Sequence, residues 1–117
     1  MKDYDKLTNP EARDNRHQFD VACTTISALE SALNTIRVLY GDLEKLNEEP
    51  TSELKNLRSV LVNQINSVNK KRNQLYKDYW ERIVANCDHD YQYEGESYGG
   101  NYDMYVCTKC GAVKSKK

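Results

Sequence analysis

The chain contains 117 residues, and its 17 basic and 18 acidic side chains give a formal net charge of −1. This length fits one small domain and is too short for two full ones. Sequence-independent nucleic-acid binding depends on neutralising phosphates, so the near-neutral charge argues against a strong binder of that class. No stretch resembles a transmembrane span or a cleavable signal, which predicts an intracellular protein of the cytoplasm or nucleus, without a membrane partner.

The chain opens with a polar segment, and residues 1–7 are predicted to form a loose N-terminal arm. A helix-start signal follows it. Thr8 and Glu11 have the spacing of a capping box, and Pro10 suits the first turn of a helix. We therefore predict a first helix over about 9–46.

This first helix carries a regular apolar stripe. Its members recur at intervals of three and four residues, which is the heptad pattern of a coiled coil. Leu39 and Leu46 flank the stripe near the helix end, and Cys23 lies beside it. We interpret Cys23 as a small packed residue rather than as a ligand or nucleophile. The stripe consists of Phe19, Ala22, Ile26, Leu29, Leu33, Ile36, Tyr40 and Leu43.

A break separates this helix from a second one. The Asn-Glu-Glu-Pro sequence at 47–50 stops the first helix, and Thr51 and Ser52 offer cap oxygens to the next, predicted over about 51–86. A connector this short makes consecutive helices antiparallel neighbours. We therefore predict an antiparallel helical hairpin, a coiled coil, over residues 8–86. The second stripe consists of Leu54, Leu57, Leu61, Ile65, Val68, Arg72, Leu75, Tyr79 and Ile83.

Four residues near the C-terminus have the spacing of a metal site. Cys87 and His89 form C-x-H, and Cys107 and Cys110 form C-x-x-C followed by glycine. Thiolates and imidazole suit Zn²⁺, and three sulfurs with one nitrogen complete its tetrahedron. We therefore predict one structural zinc ion per chain, with no open position for catalysis.

The residues between the two ligand pairs predict a β-hairpin. Tyr91 and Tyr93 alternate with polar residues, and apolar residues alternate in the same way over 102–106. A hairpin with a ligand pair at each end is a zinc ribbon. We therefore predict a mainly α protein with a small β zinc module over residues 87–117, which ends in a basic tail. The turn formers between the two strands are Gly95, Ser97, Gly99, Gly100 and Asn101.

Two alternatives remain open for this cluster. The cysteines could pair as disulfides, although the lone Cys23 and the absence of a signal peptide favour a reducing compartment. The fourth ligand could also be Asp88, Asp90 or His17. Imidazole at C-x-H spacing is the better nitrogen donor for zinc, which favours His89.

Aromatic side chains concentrate around the predicted ribbon, and we predict that they bind a partner. Tyrosines serve as anchors in protein interfaces and as stacking platforms for nucleic-acid bases. The basic clusters at 70–72 and 114–117 are interpreted as a solvated helix face and a frayed tail. Acidic residues in the same module would repel phosphate, which favours a protein partner. The predicted partner-binding residues are Tyr91, Tyr93, Tyr98, Tyr102, Tyr105 and Trp80.

Apolar residues beside both stripes predict a further interface. A two-helix hairpin has one seam and cannot bury both helix backs, and chains of this size generally need a metal or a partner. We therefore expect the helices to associate with other copies of the chain or with another protein. No motif of a catalytic site occurs and the predicted zinc is saturated, so we predict no catalytic residue, no enzyme activity and no small-molecule substrate.

The last third of the chain resembles a group of viral proteins. The matching stretches are Asn86–Tyr91 and Tyr105–Cys110, which follow a helical region and enclose a Gly/Ser turn. In this pattern the chain is similar to small coiled-coil and zinc-ribbon proteins encoded by large double-stranded DNA viruses. The resemblance implies an intracellular, virus-encoded protein, a minor virion (capsid) component, and no enzymatic role.

Together these features predict a non-enzymatic structural protein. We expect a helical rod with a zinc-stabilised head that binds other protein subunits. For a virus-encoded protein, as the resemblance implies, these subunits would be virion proteins. The competing hypothesis is a small regulator whose zinc ribbon binds nucleic acid or a transcription complex.

Overall fold

The computed structural model describes residues 3–96 and 102–116 of the chain. The described part is mainly helical and contains a small antiparallel sheet, as the sequence predicts. The chain divides into two compact units. We call Asp20–Gln74 the helical unit, and Met1–Phe19 together with Leu75–Lys117 the metal unit. The elements are helix α1 (Pro10–Lys45), helix α2 (Ser52–Asp78) and strands β1 (Tyr91–Glu96), β2 (Asp103–Cys107) and β3 (Val113–Lys116).

The N-terminal segment is structured, in contrast to the loose arm predicted for residues 1–7. Asp3–Lys6 forms a 3₁₀ helix, and Leu7 is buried with 7% of its surface exposed. The Leu7 side chain packs closely against Gly111, where an added Cβ would lie 3.2 Å from Leu7 Cδ2. The single leucine of a polar segment therefore reaches a core that is built by a distant part of the chain.

Helix α1 begins at Pro10, and Asn9 caps its first turn instead of the predicted Thr8. The side-chain oxygen of Asn9 accepts a hydrogen bond of 3.0 Å from the backbone N–H of Glu11. The backbone N–H of Thr8 donates instead to the carbonyl oxygen of Thr108 at 3.0 Å. The cap oxygen therefore comes from the residue directly before the proline.

In the helical unit, the predicted stripe of α1 forms the buried side of that helix. Four members have at most 7% of their surface exposed. Leu29, Tyr40 and Leu43 are half-buried. One face of α1 is therefore covered along this unit, as the heptad spacing predicts. The four buried members are Ala22, Ile26, Leu33 and Ile36.

The chain reverses after α1 through a left-handed residue. Asn47 has a φ of 57°, and the N–H of Glu48 donates to the carbonyl oxygen of Leu43 at 2.9 Å. These are the features of a Schellman-type helix end. Further along, the guanidinium of Arg58 in α2 lies 5.5 Å from the ring centroid of Tyr40 in α1. The two helices of this unit are thus antiparallel neighbours in a hairpin-like arrangement.

The second predicted helix, over about 51–86, is helical as far as Val84, but its type changes after α2 ends at Asp78. A π-helical turn follows it over Tyr79–Val84, in which an N–H bonds to the carbonyl five residues earlier. Tyr79 and Ile83 keep only 5% and 3% of their surface exposed, and both belong to the core of the metal unit. The stripe of the second helix includes both residues, but its spacing does not reveal the π-helical turn.

The core of the metal unit combines three separate segments of the chain. The residues before and at the start of α1 meet the π-helical turn and the turn after β2. At the surface, Glu11 and Arg82 form a salt bridge. The buried members are Leu7, Ala12, Tyr79, Ile83, Cys107, Cys110 and Ala112.

The three strands form one antiparallel sheet in the order β1–β2–β3. Tyr93 pairs with Tyr105, and the register then shifts at Gly95, which leaves Glu94 in a bulge. Gly95 has a φ of 131°, a conformation that residues with a side chain rarely adopt. The predicted turn former Gly95 therefore lies inside β1. The rest of the predicted turn, 97–101, lies outside the described residues.

The basic segment near the C-terminus is a strand, although the sequence predicts a frayed tail there. Lys114 pairs with Tyr105, and Val113 pairs with Val106. All four residues of β3 are exposed, and lysines on an edge strand discourage pairing with a further strand. The segment pairs because β2 offers it an open edge, and its own short sequence carries no clear strand pattern.

The sequence predicts no transmembrane span. Within 3–96 and 102–116, no helix is both long enough and apolar enough to cross a membrane.

Candidate metal centre

The four predicted ligands lie together in the metal unit. Cys87 follows the π-helical turn, and its N–H bonds to the carbonyl oxygen of Val84 at 3.2 Å. His89 precedes β1, Cys107 ends β2, and Cys110 lies in the turn before β3. The ligand atoms of the four residues all lie within 4.8 Å of one another. This cluster can therefore hold a metal ion.

The distances between ligand atoms fit a tetrahedral ion. The Sγ atoms of Cys87 and Cys107 are 3.7 Å apart, and Cys110 Sγ lies 3.5 Å from His89 Nδ1. Zinc–sulfur bonds of about 2.3 Å and zinc–nitrogen bonds of about 2.0 Å, at tetrahedral angles, give edges of roughly 3.8 and 3.5 Å. The two measured contacts therefore match two edges of a coordination tetrahedron, and Nδ1 is the His89 atom that makes one of them.

A tight turn brings Cys107 and Cys110 to the same point. The N–H of Gly111 donates a hydrogen bond of 3.0 Å to the carbonyl oxygen of Cys107. The N–H of Cys107 in turn donates one of 2.9 Å to the carbonyl oxygen of Ala112. Gly111 has a φ of 82°, which favours glycine. The glycine after the second cysteine is thus needed for the turn, and its lack of a side chain also leaves room for Leu7.

The environment shifts the pKa values of the thiols in different directions. Burial acts to raise the pKa of Cys107, but hydrogen bonds from the backbone N–H groups of Cys110 and Asp90 and from His89 lower it to about 6. The Asp90 bond measures 3.4 Å to Cys107 Sγ. Burial and the neighbouring thiols raise the pKa of Cys87 to about 12. Burial also raises the pKa of Cys110. At neutral pH the metal-free cluster therefore contains a thiolate at Cys107.

The alternative fourth ligands have other contacts. Asp88 lies 3.6 Å from the Nζ atom of Lys109, and the Asp90 carboxylate accepts a hydrogen bond of 3.1 Å from the Thr108 hydroxyl. His17 forms its hydrogen bond with a tyrosine hydroxyl near the N-terminus. Among the described residues, His89 lies in the cluster with the three cysteines, and these three candidates do not.

The cysteines of the described chain are free thiols. The distance of 3.7 Å between the sulfurs of Cys87 and Cys107 is far longer than a disulfide bond of about 2.05 Å. Cys23 is half-buried on α1 and does not belong to the cluster. The disulfide alternative is therefore not the arrangement of this structure.

Tyr79 supports the ligand turn, a role that the sequence did not predict. Its hydroxyl donates a hydrogen bond of 3.0 Å to the carbonyl oxygen of Cys110. The guanidinium of Arg16 lies 5.1 Å from the centroid of the Tyr79 ring. Burial raises the pKa of Tyr79, so the hydroxyl keeps its proton and remains a donor. In the sequence Tyr79 is only one more member of an apolar stripe, and that pattern carries no signal for this bond.

The predicted partner-binding aromatic residues do not form one group. The register places Tyr91, Tyr93 and Tyr105 on one face of the sheet, and the Tyr93 and Tyr105 rings pack at 5.7 Å. Tyr102 is exposed just before β2. Trp80 instead contacts other tyrosines at the π-helical turn. Tyr98 lies outside the described residues.

Comparisons of the chain with protein-family models, with curated proteins and with solved structures found no match.

Proposed function

We propose that the cluster holds one structural Zn²⁺ and that the surrounding sheet is a zinc ribbon. Three thiolates and an imidazole suit zinc, and such a set leaves no position for a substrate or a reactive water. Zinc would join Cys87, at the end of the helical segment, to Cys107 and Cys110 at the end of the hairpin. Its role is mechanical, which agrees with a protein that is not an enzyme.

We further propose that the chain is an assembly protein whose helical hairpin, a coiled coil, binds other protein subunits. The main support is that none of the residues 52–74 is buried, although this stretch is rich in leucine, isoleucine and valine. Leu57 and Val60 keep 48% and 47% of their surface exposed, and Leu39 and Leu46 on α1 keep 43% and 70%. Covering this apolar surface with a partner would stabilise the hairpin.

Sedimentation of the zinc-loaded full chain over a range of concentrations tests the assembly role. We expect reversible association that weakens in Leu57→Asp and Val60→Asp, because a charge in an apolar interface must be desolvated. Asn63→Asp introduces the same charge at an exposed position of the same helix and should associate like the wild type. Association that is equal in all four proteins would contradict the proposal.

One observation favours a second candidate function, nucleic-acid binding by the sheet. Tyr91, Tyr93 and Tyr105 share a face, and the Nζ atom of Lys114 lies 5.4 Å from the Tyr91 ring centroid. Exposed tyrosine rings with adjacent lysines are a means of stacking single-stranded bases. Binding to single-stranded and duplex oligonucleotides across a salt series tests this, because phosphate contacts weaken steeply as salt rises. Binding that is absent at low salt removes the candidate.

The resemblance to virus-encoded proteins extends the assembly proposal. It suggests an intracellular protein that becomes a minor component of a virion, where its partners would be capsid proteins. Detection of the chain in purified particles, at a constant ratio to a capsid subunit, tests this extension. Its absence from particles would leave an assembly role in the infected cell only.

A further inference from the structure

A second stripe runs along α1 in the helical unit, beside the buried one. Each of its six residues immediately precedes a member of the buried stripe, so the six lie on one adjoining face of the helix. All six are exposed, with Val21 at 48% and Leu39 at 43%. The members of this outer stripe are Val21, Thr25, Ala28, Ala32, Thr35 and Leu39.

The outer stripe has the same order of residue types and the same spacing from either end. From either end it consists of a large apolar residue, a threonine and an alanine, at intervals of four, three, four, three and four residues. An antiparallel second copy, centred near residue 30, would therefore match the stripe to itself. The matched pairs would be Val21 with Leu39, Thr25 with Thr35, and Ala28 with Ala32.

This face of α1 carries no charge. Between residues 21 and 41 the only charged side chains are Glu30 and Arg37, and each follows a member of the buried stripe, on the opposite flank. At the 30% charged content of the chain, about six charges would be expected over that length. The Thr35 hydroxyl already donates to the carbonyl oxygen of Ser31 at 3.1 Å. Covering it therefore leaves no unpaired donor.

Helix α2 adds uncharged residues to the same side of the hairpin. Val60, Gln64 and Ser67 are exposed, and each precedes a member of the stripe of α2. Because the two helices of this unit are antiparallel, the residues that precede the stripe on both helices lie on one side of the pair. Over residues 60–67 of α2 this side carries no charge, so the charge-free face is two helices wide there; Glu53 and Lys71, which also precede members of the stripe, are exposed charges beyond the two ends of that stretch.

We propose that a second copy of the chain docks on this face, related by a twofold axis near residue 30, and that two helical units form an antiparallel four-helix bundle. The inference rests on the proposed assembly role, for which it names the surface and the partner. Ala28 and Ala32 allow the helices to approach closely near the axis. Val21 and Leu39 provide apolar contact at the two ends. A twofold interface requires self-complementarity, which the outer stripe possesses.

The expected interface is small. The outer stripe spans eighteen intervals, or about 27 Å at 1.5 Å per residue, and two helices are about 20 Å wide. One copy would therefore bury roughly 500 Å², and the pair roughly 1,000 Å², which is the lower limit of specific interfaces. We expect a weak, reversible dimer that forms as the protein concentration rises.

Charge substitution with rescue tests the pairing in the zinc-loaded full chain. Val21→Lys and Leu39→Glu should each weaken the dimer at least tenfold, measured as the dissociation constant by sedimentation. The double variant should associate more tightly than either single variant. In the antiparallel pairing, each introduced lysine faces an introduced glutamate of the second copy. In a parallel pairing, like charges would meet.

Val62→Lys is the matched control. Val62 is an exposed valine with 38% of its surface accessible, but it follows the stripe of α2 and lies on the other side. Its dimer constant should equal that of the wild type, and far-UV circular dichroism should confirm that all variants keep their helices. This interface is overturned if neither single substitution weakens the dimer, or if the double variant dimerises no more tightly than the weaker of the two single variants. Either result leaves the assembly role intact. A wild-type monomer that also binds no other subunit overturns both.

Discussion

The hydroxyl of Tyr79 donates a hydrogen bond of 3.0 Å to the carbonyl oxygen of Cys110. This bond connects the π-helical turn to the turn that carries two of the metal ligands. Both residues are buried in one core, which Leu7 also enters from the N-terminal segment. Two of the four candidate ligands, Cys107 and Cys110, are therefore part of the core of their unit, whereas Cys87 is half-buried and His89 is exposed.

Tyr79→Phe should destabilise the metal unit by about 1–3 kcal/mol, because it removes the donor from a buried carbonyl oxygen and adds no new partner. Chemical unfolding of the zinc-loaded protein, followed by tyrosine fluorescence, measures this change. Tyr76→Phe removes a hydroxyl from a ring that is 56% exposed and should change the stability by less than about 0.5 kcal/mol. Equal effects of the two substitutions would show that the bond to Cys110 contributes nothing.

Removal of the metal with a chelator should destabilise the metal unit and spare the helical unit. Two ligands, Cys107 and Cys110, have no exposed surface and pack with Leu7, Tyr79 and Ile83. Without the ion, their thiols would remain in this core without a bond that joins its segments. Amide hydrogen exchange should therefore speed up around residues 3–12, 79–96 and 102–116. Slow exchange should persist within 20–74, and a uniform response along the chain would contradict this division.

Cys107→Ser should lower the zinc affinity by more than about 100-fold, because a thiolate ligand is lost from a four-ligand site. Competition with a coloured chelator measures this affinity. Cys23→Ser is the matched control, since Cys23 lies in α1 and is not part of the cluster. The control should bind one zinc ion per chain with unchanged affinity. Loss of zinc from the Cys23 variant would mean that the ligand set is wrong.

Zinc affinity should rise with pH. The pKa of Cys87 is raised to about 12 and that of Cys110 is also raised, so both thiols hold protons at neutral pH, and zinc must displace them. The pKa of Cys107 is lowered to about 6, so protons compete with zinc for this sulfur only below about pH 6. Two displaced protons correspond to about a 100-fold gain in affinity per pH unit above pH 6, and a steeper change below it. An affinity independent of pH would contradict a thiolate site.

Gly111→Ala should destabilise the metal unit by about 1–2 kcal/mol. Its φ of 82° is unfavourable for alanine, and the new methyl group would lie 3.2 Å from the Leu7 side chain. Gly41→Ala is the matched control, because nothing lies within 4 Å of its Cβ position inside α1. Alanine there should stabilise the helix by about 1 kcal/mol. Thermal unfolding distinguishes a loss of stability from a gain. An unchanged stability of the Gly111 variant would mean that the turn does not require glycine.

Short-range patterns predicted the elements that depend on neighbouring residues. The heptad spacing identified the buried side of α1, because residues three and four apart share a helix face. The C-x-H and C-x-x-C spacings identified four residues that lie together and could hold a metal ion, because ligand chemistry restricts the residue types and the turn restricts their separation. The prediction was less accurate where an element depended on a distant one, as at the N-terminal segment, the π-helical turn and β3.

By itself, the sequence determined two long helices, a reversal between them and two pairs of candidate ligands, since each of these depends on residues that lie close along the chain. Only the tertiary structure determined that Leu7 is a core residue, that Asn9 caps α1, that Tyr79 supports the ligand turn and that β3 completes the sheet. Each of these features requires contact between segments far apart in the chain. Such contacts form where the rest of the fold leaves a space that a side chain can fill or a backbone group that needs a hydrogen-bond partner. Local sequence patterns encode neither of these.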